Sequence, residues 1–168
     1  MITVVLGGTR SGKSDVAERL ASAATGGQVS YIATAAPTVD EDFAARIAAH
    51  RARRPDSWAT LECVQPQDLV THLREAAGVV LIDSLGTWVT RHEDLVVEPD
   101  ALLRGLLARH GDTIIVSEEV GLAVHPPTAV GRRYVDAVGT LNQQVAAIAD
   151  RVLLVVAGHI LALQPFDA

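Results

Sequence analysis

The feature that most constrains this chain is Gly7-Gly8-Thr9-Arg10-Ser11-Gly12-Lys13-Ser14, a G-x-x-x-x-G-K-[ST] run that directly follows the apolar, β-branched Ile2-Thr3-Val4-Val5-Leu6. A glycine-rich turn between a buried strand and a helix lets backbone N–H groups converge on phosphate oxygens. The positive end of the following helix then favours the anion they hold. The pattern stands in the context it requires, so the segment is read as a P-loop and the chain as a nucleoside triphosphate binder. Gly7, Gly8, Thr9, Arg10, Ser11 and Gly12 are the expected phosphate cradle. Lys13 is expected to reach the β- and γ-phosphates, and Ser14 to offer its hydroxyl to Mg²⁺.

Beyond the P-loop, short runs rich in Val and Ile alternate with segments of helical period, the pattern of a mostly parallel α/β sheet with helices on both faces. Strands are predicted at Ile2–Leu6, Val29–Thr34, Ala59–Val64, Val79–Ile82, Thr113–Ser117, Arg151–Val156 and Ile160–Leu163. Helices are predicted at Lys13–Ala24, Glu41–Arg53, Pro66–Ala76, Asp100–Arg109 and Thr128–Ala149. In the last of these Val130, Tyr134, Val138, Leu141, Val145 and Ile148 recur every three or four residues and form one apolar stripe. Only Gly158 and His159 separate the final two strands, which predicts an antiparallel hairpin at the C-terminal end of the sheet. Glu93–Pro99 reads as an irregular loop.

A length of 168 residues with 49% hydrophobic content suffices for one well-buried core and not for two ordinary domains, so 1–168 is expected to be a single domain. The net charge of −6 argues against non-specific nucleic-acid binding, which needs a basic excess. The one cysteine, Cys63, cannot form an internal disulfide, and the chain opens on a strand-like run rather than a signal peptide. Its longest apolar stretch, Val152–Ala157, falls far short of the roughly 20 residues of a membrane span. A cytoplasmic protein without a nucleic-acid partner is the expectation.

Asp83 ends the buried run Val79-Val80-Leu81-Ile82, where a P-loop site takes its second metal-holding acid; the alternative is a helix cap. His50 lies at helical spacing from Phe43 and Ile47 and close to Arg46 and Arg54. It is either a packed histidine or a nucleophile. A neutral imidazole can attack phosphorus and form a phosphoramidate, with guanidinium groups stabilising the accumulating charge. Ser117-Glu118-Glu119-Val120-Gly121 follows a strand, so either one carboxylate faces a ligand at the carboxyl edge of the sheet or both are ordinary loop acids. Trp58 and Trp88 read as packing residues, and Arg132 and Arg133 as phosphate holders or solubilising charges. His72, His92, His110, His125 and His159 show no metal-ligand spacing. There is no N-K-x-D guanine signature, and a P-loop alone names neither base nor acceptor.

Several separated segments match one family in order along nearly the whole chain. They are the P-loop, Tyr31-Ile32-Ala33-Thr34-Ala35, Arg46-Ile47-Ala48-Ala49-His50-Arg51 with Pro55, Trp58-Ala59-Thr60-Leu61-Glu62, Leu81-Ile82-Asp83-Ser84-Leu85, Glu119-Val120-Gly121, Arg132-Arg133-Tyr134, Leu141-Asn142-Gln143 and Val155-Val156-Ala157-Gly158. With them the sequence resembles the bifunctional adenosylcobinamide kinase / adenosylcobinamide-phosphate guanylyltransferase of cobalamin biosynthesis. The resemblance implies a RecA-like P-loop sheet assembled as a homotrimer. It also implies two reactions: phosphorylation of adenosylcobinamide by ATP or GTP, and transfer of GMP from GTP to that phosphate, giving adenosylcobinamide-GDP. By the same resemblance His50 carries GMP covalently and acts in catalysis with Lys13. Thr34, Arg51, Glu62, Asp83 and Glu119 then fall in the nucleotide region, and Ser14 and Asp83 are the expected Mg²⁺ ligands. The competing reading from residues alone is a P-loop small-molecule kinase without guanylyl transfer. The chain departs from the family's pattern in three places. Gly86 stands where threonine is expected, Arg91-His92-Glu93-Asp94 replaces an asparagine-leucine run, and Ser117-Glu118 stands where serine-asparagine is common.

Overall fold

A computed structural model of the chain describes residues 1–24, 27–35, 41–122 and 124–165, without the side chains of Asp42, Phe43 and Arg46. Phe43 and Arg46, expected neighbours of His50, therefore lie outside the described side chains. The elements run β1 (Ile2–Gly7), α1 (Lys13–Ala23), β2 (Val29–Ala33), α2 (Glu41–Arg53), β3 (Ala59–Glu62), α3 (Asp68–Glu75), β4 (Val79–Asp83) and α4 (Leu85–Val89). A 3-10 turn at Glu93–Leu95 follows, then α5 (Asp100–Leu107), β5 (Thr113–Glu118), α6 (Ala129–Ala147), β6 (Arg151–Val156) and β7 (His159–Leu163).

The seven strands form one sheet in the order β3-β2-β4-β5-β1-β6-β7. Every pairing is parallel except that of β6 with β7. The central strands are apolar along their length because helices cover both faces. On one face Val4, Ile32, Val80, Ile82 and Ile115 pack with Leu69 and Leu73 of α3, Leu85 and Trp88 of α4, Leu102 and Leu106 of α5, and Val138, Leu141 and Val145 of α6. On the other, Val5, Tyr31, Val79, Leu81, Ile114 and Val116 meet Val16, Ala17 and Ala21 of α1. Each large apolar side chain fully removed from water contributes about 1.5–3 kcal/mol, so these two layers drive the fold.

Most differences from the sequence reading lie at element ends. β4 runs on to Asp83 and β5 to Glu118, whereas β2 stops at Ala33 and β3 at Glu62. Helix α4 was not anticipated, since five residues including Gly86, Thr87 and Val89 carry little helix propensity. Its start is fixed by a capping box between Ser84 and Thr87, so the cap falls to Ser84 and not to Asp83. In α6, Thr128 accepts from Gly131 N at 3.1 Å as the N-cap. The apolar stripe buries Val138, Leu141 and Val145 but leaves Val130 exposed at the helix start. The β6–β7 hairpin turns on Ala157 (φ 50°) and Gly158 (φ 77°), two positive-φ residues as a tight hairpin of this twist requires. The irregular stretch after α4 is tied down by Arg91, whose guanidinium donates to Thr34 O and Val64 O. Among the described residues no helix is long and apolar enough to cross a membrane.

Candidate active site

The carboxyl ends of β2, β4, β5 and β1 open onto a cleft of about 1100 Å³, closed on one side by α2. Its floor is the P-loop. Gly12 takes φ 93° as the residue before α1, a left-handed conformation that glycine adopts at little cost because it has no Cβ. The loop rests on the hairpin turn: Gly158 N donates to Ser11 O at 2.8 Å, and a Cβ on Gly12 would stand 3.4 Å from Gly158 Cα. On the other side Glu119 N donates to Gly7 O at 3.1 Å. The cradle is thus fixed by backbone contacts from β5 and the β6–β7 turn. Lys13 Nζ folds over the loop, 3.3 Å from Gly8 O and 3.8 Å from Glu118 Oε1. Ser11 Oγ is buried without a hydrogen-bond partner among the described residues.

Opposite the P-loop, the last turn of α2 presents His50. Its Nδ1 lies 3.2 Å from Asp83 Oδ2, and Tyr31 Oη donates to the same oxygen. Burial alone would raise the Asp83 pKa, but the hydrogen bonds from His50 and Tyr31, with the charge of Lys13, outweigh it and hold the group below its ordinary value. Asp83 is therefore an ionised acceptor, which assigns the proton of this contact to His50 Nδ1 and leaves Nε2 as the nitrogen free for chemistry. Burial, followed by the Asp83 charge, pushes the Tyr31 phenol far above its usual value, so it stays a donor. Arg54 stacks on Tyr31 with its guanidinium carbon 3.5 Å from the ring centroid, and its Nε and one terminal nitrogen are buried without partners among the described residues. Arg51 and Glu62 pair at the half-open rim, and Arg53 ties α2 to Glu18 of α1 at 3.2 Å.

These positions account for the residues singled out in the sequence. Thr9, Arg10, Ser11, Gly12, Lys13, Ser14, His50, Arg51, Glu62 and Asp83 all line the cleft. Thr34 does not: it is fully buried, accepting from Ser84 N at 2.8 Å and donating to Ser84 O at 2.6 Å, so it fixes the backbone after Asp83. Of the two adjacent acids, Glu118 lines the cleft, and Glu119 turns back to accept from Gly121 N at 2.6 Å. Trp88 is buried and Trp58 packs near Tyr31, as packing residues would. Arg132 donates to Pro126 O and Pro127 O at the start of α6. Sequence reasoning placed Arg54 beside His50 but gave Tyr31 no role of its own in the site, and only its long-range contact with Asp83 could have done so.

A family model described as cobinamide kinase / cobinamide phosphate guanyltransferase matches residues 3–163. The chain belongs to this family. It is 46% identical over 167 residues to the bifunctional adenosylcobalamin biosynthesis protein CobP of Pseudomonas aeruginosa, with 94% of each chain covered. To the bifunctional adenosylcobalamin biosynthesis protein CobU of Escherichia coli it is 34% identical over 178 residues, covering 94% of this chain and 97% of that one. Among solved structures it is similar to a prototypical ATPase from the type III secretion system of pathogenic bacteria. The TM-score is 0.56 at 14% identity, over 91% of this chain and 50% of that one, a likeness of fold alone. The mostly parallel P-loop sheet with an antiparallel C-terminal pair is thus the fold the sequence led us to expect.

Proposed function

We propose that this member of the cobinamide kinase / cobinamide phosphate guanyltransferase family phosphorylates the aminopropanol hydroxyl of adenosylcobinamide with ATP or GTP. It then transfers GMP from GTP to that phosphate, giving adenosylcobinamide-GDP. The observation that carries the reading is a histidine held by an ionised aspartate, 3.2 Å away, on the wall of a P-loop cleft.

In the guanylyl step His50 Nε2 attacks the α-phosphorus of GTP. The N–P bond forms as the bond from the α-phosphorus to the bridging oxygen breaks, and pyrophosphate leaves. An oxygen of adenosylcobinamide phosphate then attacks the same phosphorus and the N–P bond breaks, restoring the imidazole. Asp83 orients the ring and stabilises the positive charge it acquires, and Tyr31 orients Asp83 in turn. The unpartnered N–H groups of Arg54 suit the charge that builds on the phosphates. In the kinase step Lys13 and the P-loop amides hold the β- and γ-phosphates, so positioning and charge stabilisation supply most of the rate.

Ser14 and Asp83 fit Mg²⁺, being hard oxygen donors of which one is an ionised carboxylate. Among the described residues the hydrogen bonds to Asp83 fall on Oδ2, and Oδ1 accepts from none. Held by these two residues, Mg²⁺ would supply neutralisation of phosphate charge. A homotrimer is part of the proposal. It is supported by β7, an edge strand exposed along its whole length with Ile160, Leu161 and Leu163 on it, a surface that a monomer would leave open to stray pairing. Sedimentation at micromolar concentration tests this directly, and a monomer there removes it.

The decisive experiment incubates the protein with α-labelled GTP and Mg²⁺, denatures it, and looks for an acid-labile, base-stable label. A label that disappears in His50→Ala supports the phosphoramidate. Folded, nucleotide-binding protein that takes no label reduces the reading to a P-loop kinase.

A further inference from the structure

Of the described acids that line the cleft, Asp83 holds His50 and Glu62 pairs with Arg51 at the rim, while Glu118 does neither. It ends β5, the strand between the one that ends in Asp83 and the one that leads into the P-loop, and its register partner is Gly7. Its backbone is fixed on both sides. Asn142 of α6 donates to Glu118 O at 2.9 Å and accepts from Ser117 Oγ at 2.6 Å. The carboxylate accepts from Ser84 Oγ, at 2.9 Å on Oε1 and 3.2 Å on Oε2. Oε1 stands 3.8 Å from Lys13 Nζ, with the glutamate side chain 26% and the lysine 13% exposed.

The carboxylate occupies space that position 86 leaves free. A Cβ on Gly86 would sit 2.7 Å from Glu118 Cδ and 2.6 Å from Tyr134 Oη, closer than carbon contacts allow. Two of the three departures from the family's pattern, Gly86 and Glu118, are therefore one packed pair. Burial and then the Glu118 charge raise the pKa of the Tyr134 phenol, so the neighbour on α6 does not compete for a proton.

We propose that Glu118 is the proton acceptor of the kinase step. The argument rests on the function proposed above and deepens it. A P-loop lysine ends at the β- and γ-phosphates, so a carboxylate 3.8 Å from its Nζ lies beside the γ-phosphoryl group. The acceptor hydroxyl must approach that group from the open side of the cleft, which Glu118 lines. Its oxygen bonds to the γ-phosphorus, the bond from that phosphorus to the β,γ-bridging oxygen breaks, the nucleoside diphosphate leaves, and the hydroxyl proton passes to Glu118, which later returns it to water. Ser84 holds the carboxylate in line, and Gly86 gives it room.

The test is steady-state phosphorylation of adenosylcobinamide by ATP in wild type, Glu118→Gln, Gly86→Ala and the double variant, with thermal unfolding as the check on folding. Glu118→Gln should lower kcat on the order of 10²–10³-fold while KM for ATP moves less than about three-fold. Gly86→Ala, which pushes the carboxylate off Ser84, should fall in the same direction, and the double variant should be no slower than Glu118→Gln. Glu118→Asp, which keeps a shorter carboxylate, should retain part of the rate and decides the matter if Gly86→Ala does not fold. Wild-type kcat in Glu118→Gln overturns the role, as does tighter ATP binding with unchanged kcat, which would make Glu118 only a counter-charge for Lys13. A wild type that transfers no phosphoryl group to the corrinoid overturns the proposed function and this role with it.

Discussion

At the P-loop end of the cleft the contacts that fix the site are between backbone groups, Gly158 N to Ser11 O and Glu119 N to Gly7 O, whereas at the α2 end they are between side chains. The helices differ in the same way. α1 buries Val16, Ala17 and Ala21 against the sheet, while every described side chain of α2 is exposed or half-buried. A helix with few buried apolar contacts has a low free energy of local opening. The phosphate end is therefore preorganised, and among the described side chains the end that carries the nucleophile is held by four polar contacts: His50 with Asp83, Arg51 with Glu62, Arg53 with Glu18, and Arg54 on Tyr31. Rigidity where both reactions bind phosphates, and a weakly held helix where only one reaction needs a nucleophile, is the division of labour this predicts.

The strongest way to break that comparison is Lys13→Ala. If both reactions share the preorganised end, each should lose on the order of 10³-fold in turnover, the scale of removing a principal charge donor. The two rates are measured separately, with γ-labelled ATP and α-labelled GTP. A variant that loses one reaction and keeps the other would show two independent phosphate sites.

Asp83→Asn strikes the junction between the two ends. Guanylylation of His50 should fall about 10–100-fold, the range for losing a group that orients a reactive histidine. The same variant carries a pH signature. The Asp83 pKa is lower in the folded protein than its ordinary value, so its stabilising effect is complete above the usual carboxylate range near pH 4 and is lost as pH falls through the lower folded value. Urea midpoints of wild type and Asp83→Asn should therefore diverge above about pH 5 and converge towards pH 2. Parallel curves would show that Asp83 is not held ionised by its neighbours.

How much of this was legible in the sequence follows the same divide. The P-loop depends on local backbone geometry, so glycine spacing and the flanking strand and helix identify it. The bounds of α2 and β6 were read without error because a run of helix formers and a β-branched run are local signals. The Glu118–Glu119 choice was not legible. Side chains alternate along a strand, and β5 runs one residue past the expected Ser117, which decides which acid enters the cleft. Thr34 was expected near the nucleotide, but its burial depends on Ser84 and Thr87, about fifty residues away. Tyr31 is brought to Asp83 by the pairing of β2 with β4, and that the Arg54 read beside His50 stacks on Tyr31 follows from the same tertiary arrangement, which has no short-range signature.

Arg54→Ala tests whether the side-chain end also handles phosphate charge. It removes a cation stacked on Tyr31 and two N–H groups with no partner among the described residues, so guanylylation should drop roughly ten-fold. Lost stacking adds about 0.5–2 kcal/mol of destabilisation. Arg54→Lys restores the charge but neither the planar stack nor the fork of donors, and should recover only part of the rate. Full activity in Arg54→Ala would confine charge stabilisation to the P-loop end.

Tyr31→Phe is the smallest change and the sharpest. The ring stays, so the stack under Arg54 and the tilted packing on Trp58, with centroids 6.4 Å apart, are kept, and only the donation to Asp83 Oδ2 is removed. Asp83 keeps His50 on that oxygen, so the stability lost should be about 1 kcal/mol, the net value of one hydrogen bond to a group that retains another partner. If Tyr31 works by aiming Asp83 at His50, guanylylation should fall only several-fold, with KM for GTP unchanged, because ground-state binding belongs to the P-loop end. Hydrogen exchange adds an independent reading, since loosening the anchor of His50 should raise exchange in the last turn of α2 while leaving α1 as it was. A loss as large as that of Asp83→Asn would mean that the aspartate cannot hold the histidine without the phenol, and that the side-chain end of the cleft stands or falls on one hydroxyl.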